Sequence, residues 1–115
     1  MAHGSRDPRW RAPFDDLLAK LRVDLGENQV ALAYMEFAAP TLMDVAAKAT
    51  GHGMTSLRIL PLFLAAGAHV DRDIPSQVKA VRAQFRQLHI ELLPPVGEDP
   101  RFARLLLEIA RESAR

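Results

Sequence analysis

Residues 30–35, Val-Ala-Leu-Ala-Tyr-Met, are apolar at every position. A strand with one wet face would alternate, so a continuous run of this length predicts a strand covered on both faces. A second run, Leu57–Leu60, is apolar except for Arg58 and is closed by Pro61, which cannot donate to a ladder. A third, Leu88–Leu93, does alternate, with His89 and Glu91 opposite Leu88, Ile90 and Leu92. It predicts an edge strand with one wetter face, ended by Pro94 and Pro95.

Four amphipathic helices are expected around these strands. The first spans about Pro13–Leu25, with Phe14, Leu17, Leu18, Leu21 and Leu25 on one face. The second follows Pro40, with Thr41 as cap, Asp44 three residues on, and Leu42, Val45, Ala46 and Ala49 as its stripe; Gly51 and Gly53 stop it. The third takes Asp73 as cap and Pro75 in its first turn, with Ile74, Val78, Val81 and Phe85 apolar. The fourth repeats the Asp-Pro start at Asp99 and Pro100, followed by Phe102, Leu105, Leu106 and Ile109. Strands alternating with helices imply parallel strands joined by right-handed crossovers.

The chain's 115 residues suit one α/β domain, residues 1–115, with a small core that self-association would complete. A net charge of +1 and 6% aromatic residues argue against a nucleic-acid surface. The absence of cysteine excludes disulfides and thiolate metal sites. No apolar run reaches a membrane span and the first residues are polar, so a cytoplasmic location is the expectation.

In parallel sheets, ligands bind beyond the carboxyl ends of the strands. The positions to inspect are therefore Glu36, the stretch 63–69, and Val96 with Gly97. His3, Glu36 and His69 are spaced 33 positions apart, about one strand–helix unit, so they would line one sheet edge. Two imidazoles and a carboxylate suit Co²⁺, Fe²⁺, Ni²⁺ or Zn²⁺. Taken singly, His3 reads better as part of a terminal tail and His69 as a helix-capping loop residue; Glu36 reads equally as an exposed strand-end carboxylate. His52, between two glycines, reads as a helix C-cap, and His89 as inert on the edge strand. Asp71 and Asp73 fit helix capping better than metal binding. A serine hydrolase is disfavoured, because Ser5 lies in no Gly-x-Ser-x-Gly elbow.

Three blocks carry a resemblance: His-Gly-Ser-Arg-Asp-Pro at 3–8, Glu36 with Pro40-Thr41, and Leu-Pro-Leu-Phe-Leu-Ala-Ala-Gly-Ala-His at 60–69 followed by Asp73-Ile-Pro. Together they resemble the class II tetrapyrrole chelatases, above all the short CbiX type, the sirohydrochlorin cobaltochelatases, with the SirB ferrochelatases close behind. The resemblance implies ATP-independent insertion of Co²⁺ or Fe²⁺ into sirohydrochlorin, for cobalamin or sirohaem, with the metal as substrate and no permanent cofactor. It implies that His3 and His69 are the paired catalytic histidines and that Glu36 is the acidic metal ligand. It also implies a four-stranded parallel sheet with helices on both faces, and a homodimer.

Neutral imidazoles can ligate the ion or accept pyrrole protons. Arg6 and Arg72 are candidate anchors for the substrate's carboxylates, Ser5 a further contact, and Phe63 and Leu64 candidate packing surfaces for the macrocycle. The resembling family has an apolar strand before its His-Gly-Ser block, where this chain has only Met1 and Ala2. A missing or truncated first strand is therefore expected, with His3 on a fraying end and unpaired backbone beside it. That departure supports an alternative, a non-catalytic metal or tetrapyrrole carrier, or a half that pairs with another subunit.

Overall fold

The computed structural model describes residues 1–65 and 67–114, with the backbone alone at 68–71. Its helices are α1 (Pro8–Leu25), α2 (Leu42–Gly51), α3 (Ala68–Gln84) and α4 (Pro100–Ser113). Strands β1 (Ser56–Ile59) and β2 (His89–Leu92) pair in parallel, Leu57 opposite Ile90. The parallel α/β class expected from the sequence is the one observed.

The regular ladder is narrower than four strands because its centre is built from residues 1–3. Ala2 N–H donates to the Ala33 carbonyl at 2.9 Å, and Met35 N–H donates to that of Ala2 at 2.8 Å. On the other side, Leu62 N–H donates to the Met1 carbonyl at 2.8 Å. Residues 30–35, expected as a full strand, therefore contribute one bridge, Tyr34 with Ala2. The expected fraying is corrected too: His3 is held, its carbonyl accepting from Glu36 N–H at 2.9 Å.

Side chains from these segments alternate between two cores, as strand geometry dictates. Met1, Ala33 and Met35 join Leu42 and Ala46 of α2, Ile74, Val78 and Val81 of α3, and Ile59, Phe63, Leu88 and Ile90. Ala2, Leu32 and Tyr34 face the other way, onto Trp10, Phe14 and Leu18 of α1. Burying each large aliphatic here contributes roughly 1.5–3 kcal/mol. The edge strand is blunted where Arg82 donates to the Ile90 carbonyl at 2.8 Å.

Helix starts follow local chemistry. Thr41 and Asp44 form the expected capping box, with reciprocal bonds of 3.2 and 2.9 Å. Asp99 caps α4, and Arg101 holds its carboxyl well below the usual carboxylate range. Two starts differ from the sequence reading. α1 begins at Pro8, not Pro13, because Asp7 caps Arg9 N–H at 2.9 Å, the same Asp-Pro device as in α4. α3 begins at Ala68, not Asp73, with Gly67 as extended N-cap, so Pro75 lies inside it. That proline forfeits one helical hydrogen bond, while Ile74, Val78 and Val81 keep the helix on the core. Among the described residues no helix is long and apolar enough to cross a membrane.

The Met1 amine donates to the Leu60 carbonyl at 2.9 Å, and burial lowers its pKa from 8.0 to about 6. The unfolded chain therefore holds this proton over a range in which the folded chain has released it. By linkage the penalty is complete below pH 6 and fades as pH rises toward 8, by about 2–3 kcal/mol in all. Thermal melts at pH 5.5 and 8.5 are expected to show higher stability at the alkaline value, and α-amine acetylation to flatten that difference. An unchanged pH difference after acetylation would show that the Met1 amine is not its source.

Candidate functional site

The candidate residues converge at the carboxyl end of the sheet, where His3, Glu36 and Phe63 end neighbouring extended segments. Residue 3 lies between the other two. The exposed His3 imidazole rests on the Phe63 ring, with centroids 4.3 Å apart at 54°. Phe63 is only 7% exposed and belongs to the main core, so it is a floor beneath the histidine. Of the two candidate apolar surfaces, Phe63 and Leu64, it is Leu64 that is exposed.

Each residue of the block after His3 has a local role. Gly4 has φ +112°, and a Cβ there would land on the Glu36 carbonyl oxygen. Only glycine lets the two backbones approach this closely. Ser5 Oγ accepts the Asp7 N–H at 3.1 Å, and Asp7 caps α1. Arg6 is exposed, with its guanidinium carbon 5.2 Å from the centre of the Phe37 ring. The hydrogen bonds of Arg9 to Asp7 hold the Asp7 carboxyl below its ordinary pKa.

Glu36 is half-buried and forms no ion pair among the described residues. The hydrogen bond between its N–H and the His3 carbonyl fixes the two backbones side by side. The loop after β2 clamps the far side: Val96 N–H donates to the Pro61 carbonyl at 2.9 Å and Gly97 N–H to that of Phe63 at 3.0 Å. A Cβ on Gly97 would run into the Leu64 backbone.

His69 is the second residue of α3; its side chain, like that of Asp71, lies outside the described residues. Arg72 is exposed on the same helix. The structure thus sets the backbones of His3 and Glu36 side by side and places His69 by its backbone; among the described residues no three His, Asp or Glu side chains form a ready metal cluster. His52 is the C-cap of α2, as expected, its N–H donating to the carbonyls of Lys48 and Ala49. His89 is exposed at the start of β2, where a shallow hollow of about 440 Å³ is lined by Arg82, Arg86 and His89. Strand direction puts that hollow at the opposite end of β2 from the candidate site.

One residue at this edge escaped the sequence reading. Phe37, directly after Glu36, is 60% exposed and adopts φ +62°. Its position after a strand-end acid was a usable signal; its backbone conformation was not visible in the sequence.

Comparison with known proteins supplies the context. Residues 1–113 match the CbiX family. The chain is 32% identical to a sirohydrochlorin cobaltochelatase of Sulfurisphaera tokodaii, over 98% of this chain and 89% of that protein. A crystal structure of a CbiX protein from Marinobacter aquaeolei VT8 superposes with a TM-score of 0.87 at 34% identity, covering 98% of this chain and 92% of the other. The sirohydrochlorin chelatase SirB of Bacillus subtilis subspecies spizizenii, in complex with cobalt, shares the fold with a TM-score of 0.81 at 20% identity; the match covers 96% of this chain and 47% of SirB. The family match over almost the whole length, with near-full-length relatives of the same fold, shows that the chain belongs to the CbiX family.

Proposed function

We propose that residues 1–115 act as one sirohydrochlorin chelatase domain, inserting Co²⁺ into the tetrapyrrole without ATP. The observation that carries this reading is the fixed pairing of His3 with Glu36 at the sheet edge, in a chain similar along its length to a sirohydrochlorin cobaltochelatase.

The residue types fit the chemistry. Insertion exchanges two pyrrole protons for one divalent cation. The His3 imidazole, the Glu36 carboxylate and His69 offer nitrogen and oxygen donors suited to Co²⁺ or Fe²⁺. A neutral imidazole can release the ion and accept a proton in its place. The Phe63 floor restricts how the His3 ring turns. Arg6 and Arg72 are the cations assigned to the substrate's carboxylates, with the Ser5 hydroxyl as a further donor. The metal is substrate and no resident cofactor is invoked.

The active form is inferred to be a homodimer built on α4. Leu105, Leu106 and Ile109 are 50–52% exposed, no residue of α4 is buried, and the helix packs chiefly on the 3-10 turn Val96–Glu98 before it. At 100° per residue, Arg101, Glu108 and Glu112 flank one side of this stripe and Ala103 and Ala110 the other. An antiparallel second copy would set the basic end of each flank against the acidic end of the other, while the alanines allow close approach.

The test is visible absorbance of sirohydrochlorin with Co²⁺ and, anaerobically, Fe²⁺, using protein sized beforehand. Repeated turnover above the spontaneous rate is expected from a dimer, and Ile109→Asp is expected to yield monomer. Stoichiometric binding without turnover would support the carrier reading. A monomeric wild type would overturn the dimer.

A further inference from the structure

We propose that Phe37 and Leu64 form an apolar bracket on either side of His3 that receives the flat face of the tetrapyrrole, with Phe37 the stronger contact. This rests on the chelatase reading and adds to it the residues that hold the macrocycle.

Two independent costs meet at Phe37. Its φ of +62° is the only positive value at a non-glycine among the described residues. A bulky side chain in that region is sterically disfavoured. The ring is also 60% exposed, so packing within the chain does not offset the strain. Backbone strain of this kind collects at ligand sites, where the surrounding structure enforces it. The enforcement is visible here. The Glu36 carbonyl is pressed against Gly4, Arg11 donates to the Ala39 carbonyl at 3.1 Å, and Tyr34 N–H donates to that of Pro40 at 2.9 Å.

Leu64 is the counterpart. It is 70% exposed, and the close approach of Gly97 to its backbone holds it in place. Phe37 and Leu64 directly follow the segments that pair on either side of residues 1–3, so the backbone of His3 lies between theirs. Two apolar side chains flanking an exposed imidazole match a ligand with a broad π face and a metal-accepting centre. The Arg6 cation over the Phe37 ring adds a partner for carboxylates at the rim of that ligand.

The experiment compares wild type, Phe37→Gly and Phe37→Trp. Metal-free sirohydrochlorin is titrated by its visible absorbance, Co²⁺ insertion is resolved into KM and kcat, and thermal stability is recorded. Phe37→Gly is expected to weaken tetrapyrrole binding about tenfold, chiefly through KM. Its melting temperature should be equal or higher, because glycine accepts this φ without strain. Phe37→Trp should retain binding. A Phe37→Gly protein that binds like wild type, or that loses affinity and stability together, would overturn the bracket while leaving the chelatase reading intact. A folded wild type that neither binds sirohydrochlorin nor inserts cobalt would overturn both.

Discussion

Gly4→Ala is expected to lose about 3 kcal/mol or more of stability, lowering the melting temperature by roughly 10–15 °C. Two effects combine at this position. The backbone sits at φ +112°, which L-residues rarely adopt, and the added methyl would fall on the Glu36 carbonyl oxygen. Neither strand can withdraw easily, because the hydrogen bond from Glu36 N–H to the His3 carbonyl ties them together at this point. Gly53→Ala is the control, since Gly53 also has positive φ but opens onto free space. It should lose only about 1 kcal/mol. Denaturant titration of the three proteins separates the steric part from the conformational part. If Gly4→Ala were no less stable than Gly53→Ala, the close approach of residues 4 and 36 would not hold in solution.

His3→Ala and His69→Ala are each expected to slow cobalt insertion by about a hundredfold or more, the usual scale for removing a proton-transfer group. Neither change should unfold the protein. The His3 side chain is exposed apart from its contact with Phe63, and His69 lies in the first turn of α3. Weaker Co²⁺ binding should accompany the loss. Near-normal turnover by either variant would remove that histidine from the mechanism and shift the burden to Glu36 and the other imidazole.

The contrast between His3 and Phe37 shows how far residue order reaches. His3 was legible because its block, Glu36 and the 60–69 block stand at intervals matching one strand–helix unit, and parallel topology turns such intervals into neighbours along one edge. Phe37 was not legible, because exposure and a positive φ arise only when the chain turns sharply after Glu36. Phe63 and Leu64 show the converse: from the sequence both fitted either the macrocycle face or the core, and period-two geometry turns Phe63 into the core and Leu64 outward. α1 and α3 began earlier than expected for a related reason. Apolar periodicity marks where a helix touches the core, whereas caps such as Asp7 and Gly67 decide where it starts.

By itself, then, the order of residues determined the alternation of parallel strands and helices and two of the helix starts, Thr41–Asp44 for α2 and Asp99-Pro100 for α4. These rest on local patterns of period 2 and 3.6 and on short-range hydrogen bonds. Only the tertiary structure decided that residues 1–3 bridge the sheet, that the Met1 amine is buried, that Leu64 rather than Phe63 faces outward, and that α4 keeps its apolar stripe uncovered. Those outcomes depend on which segments meet across long separations, and no local window of the chain contains that information.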